Sequence, residues 1–65
     1  MEYYVYKSQK YLNYVVEIRR EKRCEQYYMV GLFKIEGSKL KTIKKNYYLD
    51  WEMADLRFKK ILLSL

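Results

Sequence analysis

Gln26-Tyr27-Tyr28-Met29-Val30-Gly31-Leu32-Phe33-Lys34-Ile35 carries apolar residues on both faces of an extended chain. Tyr28, Val30 and Leu32 point one way, and Tyr27, Met29, Phe33 and Ile35 point the other. A strand covered on both sides belongs inside a sheet. Glu36-Gly37-Ser38 follows at once and is the clearest turn signal in the chain, with the length of a glycine-bearing hairpin loop. Residues 39–48 then return as a second strand, in which lysines alternate with Leu40, Thr42, Ile43 and Tyr47. The pair of segments predicts an antiparallel hairpin around a central strand.

Residues 11–20 also alternate. Leu12, Tyr14, Val16 and Ile18 share one side, while Asn13, Glu17 and Arg19 share the other, with Val15 as the exception. A helix stripe through Tyr11, Leu12, Val15, Val16 and Ile18, capped by Ser8, competes with this reading. The β-branched residues among tyrosines favour strand. Residues 3–7 are rich in strand formers, Ser8-Gln9-Lys10 reads as a turn, and Glu21 to Glu25 reads as a charged loop.

Toward the other end, Asp50 suits a helix N-cap, with Glu52 and Asp55 early and Arg57, Lys59 and Lys60 later, the order that complements the helix dipole. Trp51, Ala54, Phe58, Ile61, Leu62 and Leu65 draw one apolar stripe, which predicts a helix over about 51–64. The expected fold is α+β: one domain over 1–65, with a small antiparallel sheet of three to four strands and one C-terminal helix packed across one face.

A chain of 65 residues buries little core, and small domains usually need a staple. One cysteine and no histidine leave no internal disulfide and no tetrahedral thiolate or imidazole site, so no metal or cofactor is expected. Nine Tyr, two Phe and one Trp point to aromatic packing instead, or to self-association. The single cysteine fits a reducing compartment, no long apolar run spans a membrane, and Met1-Glu2-Tyr3-Tyr4 is unlike a signal peptide, so a cytoplasmic protein is expected.

The charge of +6 is unevenly placed. Residues 1–18 and residues 46–65 are each neutral, and the whole excess lies in 19–23 and 34–45. The candidate site residues are therefore Arg19, Arg20, Lys22 and Arg23 in the first segment and Lys34, Lys39, Lys41, Lys44 and Lys45 in the second, with Tyr47 beside them. Regular alternation puts Lys39, Lys41, Ile43, Lys45 and Tyr47 on one strand face. Such a stripe suits a phosphate backbone, and it equally suits protection of an edge strand against sheet-to-sheet aggregation. Arginine forks in 19–23 would add bidentate phosphate contacts if the two segments meet.

Other constellations point to no reaction. Asp50, Glu52 and Asp55 read as a cap and dipole complement. Cys24 lies among Lys22, Arg23 and Glu25 but lacks a histidine base. The doublets Tyr3-Tyr4, Tyr27-Tyr28 and Tyr47-Tyr48 each place one ring on either strand face, giving core residues and, on the outer face, shielding or a platform for stacking bases. A non-enzymatic role follows.

The stretch from Tyr27 to Leu62 distantly resembles the WGR domain of DNA-repair polymerases, which runs strand, turn, strand and helix with an Ala and a Phe spaced as Ala54 and Phe58 are. Leu32, Phe33 and Lys34 stand where that family has its naming trio. In size and composition the chain also resembles small proteins of phages and mobile elements, anti-CRISPR proteins among them. Two functions remain open: a basic module contacting nucleic-acid phosphates with aromatic support, or a phage-type inhibitor or adaptor docking on an acidic surface of a host protein. A homodimer is compatible with both.

Overall fold

Hydrophobic alternation and one amphipathic helix give the architecture directly. The computed structural model describes residues 2–65. Four strands, β1 (Tyr3–Tyr11), β2 (Tyr14–Glu21), β3 (Tyr28–Glu36) and β4 (Lys39–Tyr48), form one antiparallel sheet in chain order, and α1 (Trp51–Leu63) lies on one face. The α+β fold with a single C-terminal helix across the sheet is as expected from the pattern, and residues 14–21 are strand rather than helix.

The core is the layer between sheet and helix. Val16 and Ile18 of β2 and Val30 of β3 pack on Ala54, Phe58 and Ile61 of α1, with Tyr28, Leu32, Tyr48 and Leu62 around them. Asp50 caps the helix, its carboxylate accepting from the Glu52 N–H at 3.3 Å. Lys7 of β1 bonds Asp55 of α1 and sits 5.0 Å from the Phe58 ring centroid, and Lys59 joins Asp55 at 3.1 Å. This cluster ties the outer strand to the helix. The described helix is too short to cross a membrane.

Three boundaries differ from the sequence expectation. Ser8-Gln9-Lys10 does not turn: β1 continues through it, and the chain reverses at Leu12-Asn13, between the paired Tyr11 and Tyr14. Local polarity suggested the turn, but the pairing of Gln9 with Val16 and of Lys10 with Val15 on β2 keeps that stretch extended. Leu12 adopts φ 55°, and the Asn13 carbonyl accepts from the Ile35 N–H at 2.7 Å, which binds the turn to β3. The charged loop closes as a 3-10 turn over Lys22–Cys24. The β3–β4 turn is two residues, Gly37-Ser38, with Gly37 at φ 63°, a conformation that glycine adopts without steric cost.

Each outer strand contains one surplus residue. The β1–β2 register shifts between Val5 and Lys7, leaving Tyr6 extra, and the β3–β4 register shifts between Leu32 and Phe33, leaving Ile43 extra. A bulge of this kind reverses the alternation beyond it.

The face without a helix is not bare. Gly31 lets the Phe33 ring lie across the backbone: a Cβ at Gly31 would stand 2.6 Å from that ring. Arg19 lies above Phe33 at 4.3 Å and beneath Tyr3 at 4.1 Å, and its Nε donates to Glu17 at 2.7 Å. Ser8 donates to the same carboxylate at 2.9 Å. With this stack overhead, Phe33 is 3% exposed and Arg19 8% exposed.

Candidate anion-binding surface

The bulge at Ile43 decides which lysines share a face. Tyr48 and Asn46 lie opposite Tyr28 and Val30 on the helix side, and Lys44 lies opposite Leu32 on the same side. Past the surplus residue the pairing resumes with Thr42 opposite Phe33 on the other face, so Lys41 and Lys39 face the helix side with their partners Lys34 and Glu36. The expected stripe of Lys39, Lys41, Lys45 and Tyr47 is therefore broken. Lys45 and Tyr47 face outward, opposite Gly31 and Met29, while Lys34, Lys39, Lys41 and Lys44 gather on the helix side near the β3–β4 turn. Regular alternation fails here because one residue was inserted, a feature of backbone pairing and not of residue type.

Lys34 and Lys41 are direct cross-strand partners. Such pairs have Cβ atoms about 5 Å apart, where like charges destabilise the sheet. None of Lys34, Lys39, Lys41 and Lys44 has an ion-pair partner among the described residues. Lys34 is on an inner strand. Edge protection accounts for lysines on β4 but not for Lys34.

The 19–23 segment is arranged differently. It lies at the far end of β2, beside the start of β3, whereas Lys39 lies opposite the last residue of β3. Eight residue steps from Tyr28 to Glu36 put Lys39 about 27 Å from the 19–23 end, and Lys44 and Lys45, opposite Leu32 and Gly31, about 10–14 Å from it. The two basic segments do not form one continuous surface. Arg19 is buried and paired with Glu17, and Lys22 bonds Glu2 at 2.6 Å. Arg20 stacks at 4.4 Å from the Tyr28 ring on the helix side. Arg23 is exposed in the turn, where Glu2, Glu21, Lys22, Arg23 and Cys24 line an open cleft of about 610 Å³ with carboxylates and cations in equal number.

Tyr47 donates its hydroxyl to Glu21 at 3.1 Å and packs edge-on against Tyr27, with centroids 6.4 Å apart. Partial burial first, then the Glu21 carboxylate, raises its pKa above the ordinary 10.0, with Lys45 opposing. Tyr47 therefore stays neutral near neutrality and serves the outer-face cluster. The doublets divide as expected in two cases: Tyr28 and Tyr48 reach the core while Tyr27 and Tyr47 pair outside. In the third, Tyr3 covers Arg19 and Tyr4 is exposed. The outer face is consequently a layer of mutually engaged side chains in which Phe33 and Met29 are already buried.

Two cations passed over as dipole complement belong beside the lysines. Arg57 donates from Nε to the Tyr48 hydroxyl at 2.9 Å, and Lys60 lines the same flank of α1 along β4. Their helical phase relative to Ala54 and Phe58 carries that signal, since residues 53, 56, 57 and 60 follow one flank of the helix.

No family model matches the chain, and neither a curated protein nor a solved structure matches it. The WGR likeness rests on element order and on the Ala54–Phe58 spacing alone.

Proposed function

We propose that this protein is a non-enzymatic binding module that contacts the phosphates of a nucleic acid through Lys34, Lys39, Lys41 and Lys44, with Arg57 and Lys60 along the adjoining groove. One observation carries the reading: four lysines gather on one face with a single carboxylate, Glu36 opposite Lys39, among them, none forms an ion pair among the described residues, and two of them lie directly opposite each other. A fold that collects uncompensated cations destabilises itself, and an anionic partner relieves that repulsion. Lys34, on the inner strand, favours a ligand over edge protection.

Recognition of this kind is electrostatic and weakly selective for sequence. Fluorescence anisotropy with a labelled duplex, a single strand and an RNA hairpin tests it. With one phosphate on each of the four lysines and a fifth shared by Arg57 and Lys60, the slope of log affinity against log salt is about −4.5, so duplex affinity falls about five-hundredfold between ~50 and ~200 mM salt. A flat response, or no binding at ~50 mM to any of the three, overturns the proposal.

A protein target is the second reading, favoured by the side chains of β1: Tyr4, Val5, Tyr6 and Tyr11 are each about half exposed. Tyrosines are common anchors of protein interfaces. A pull-down from nuclease-treated lysate separates the two readings: a protein retained there but lost on Tyr4→Ala with Tyr11→Ala favours the second.

A further inference from the structure

We infer that the cleft between β4 and α1 is a site for one phosphate group, bound by Arg57, Lys60 and the Tyr48 hydroxyl. This deepens the reading above by adding a fixed anchor beside the lysine cluster. Tyr48, Met53, Leu56, Arg57 and Lys60 line a shallow open cleft of about 80 Å³. A water takes about 30 Å³, so the cleft has room for a tetrahedral oxyanion.

The chemistry of its walls is one-sided. Arg57 uses Nε on the Tyr48 oxygen at 2.9 Å, which fixes the guanidinium and leaves its two Nη groups without a protein partner among the described residues. The Tyr48 oxygen is the acceptor in that bond, so its own proton is available to a ligand. Lys60 has no ion-pair partner among the described residues. No carboxylate lines the cleft, and Asp55 on the same helix is held by Lys7 and Lys59. Donors therefore converge where no protein acceptor stands. Met53 and Leu56, each about half exposed, form the apolar part of the wall beside the cationic groups.

The probe is inorganic phosphate, followed by NMR at the Arg57 Nε–H and the Tyr48 ring. Saturable shifts at both are expected, with little change from chloride at equal ionic strength. Lys60→Gln and Tyr48→Phe should each weaken apparent phosphate affinity about tenfold, the worth of one charge-assisted hydrogen bond. Equal shifts with chloride, or unchanged affinity in both variants, overturn the inference. Lys34→Gln/Lys41→Gln/Lys44→Gln should keep the phosphate response while losing nucleic-acid affinity. Nucleic-acid binding with an unmoved Arg57 signal overturns the anchor alone. A phosphate-responsive protein that binds no nucleic acid overturns the wider function alone.

Discussion

The Arg19 guanidinium lies over the ring of Phe33, 4.3 Å from its centroid, on the sheet face that no helix covers. Tyr3 closes the stack from above and Glu17 neutralises it from the side. A residue that composition marks as a phosphate ligand is thus part of a lid over the second face. Removing it leaves Glu17 unpaired in a mostly buried position, so Arg19→Ala should cost about 3 kcal/mol or more in urea denaturation. Arg19→Lys keeps the charge but loses the planar fork between two rings, and should cost about 1 kcal/mol. Equal stability of both variants and the parent would remove the stack from any account of this face.

Gly31→Ala should destabilise the fold by about 1–3 kcal/mol, the usual range for an overpacked core. The added methyl would meet the Phe33 ring at 2.6 Å, and the ring has Arg19 above it. Gly31→Ala combined with Phe33→Leu should recover part of the loss. Thermal denaturation of the three proteins checks this.

Leu12→Gly should stabilise the protein by about 0.5–1 kcal/mol, since Leu12 holds a positive φ that disfavours a Cβ. Leu12 is 71% exposed, so little packing is lost with its side chain. A lower melting temperature in Leu12→Gly would show that the turn is unstrained.

Acid should loosen the contact between β1 and α1. The Lys7 ammonium first, then Lys59, holds the Asp55 carboxyl below its ordinary value of 3.8. The pKa is lower in the folded state, so the stabilisation is present above the ordinary value and is lost as pH falls through the lowered one. Between about pH 5 and about pH 2 the melting temperature of the parent should fall more steeply than that of Asp55→Asn. Parallel curves would exclude Asp55 as the responsible group.

Replacing Lys34, Lys41 and Lys44 together with Gln should reduce the salt slope of nucleic-acid binding from about −4.5 to about −1.8. Lys22→Gln with Arg23→Gln should leave it unchanged, because that pair lies at the other end of the sheet in a charge-balanced cleft. The reverse result would move the site to the 3-10 turn.

The hairpin around Gly37, the inner position of residues 28–36 and the phase of the helix were legible in the sequence, because each follows from a local rule of turn or periodicity. The faces of Lys39, Lys41 and Lys45 were not. A bulge is a choice between registers, made by the whole β3–β4 pairing, and no residue near Ile43 announces it. The role of Arg19 was hidden for a similar reason. Its partners Tyr3 and Phe33 come from two other strands, and Glu17 reads as ordinary surface charge until the stack is built.

Tyr6 and Ile43, the surplus residues of the two outer strands, bear on how the chain behaves when crowded. A tyrosine-rich chain without proline has, beyond the lysines of β4, few of the usual defences against stacking into filaments. An incoming strand that begins to pair along either margin meets a break in the comb of amides partway, and the regular ladder that a fibril requires stops there. The same inserted residue that turns Lys39 and Lys41 toward the helix thereby helps to keep neighbouring molecules apart.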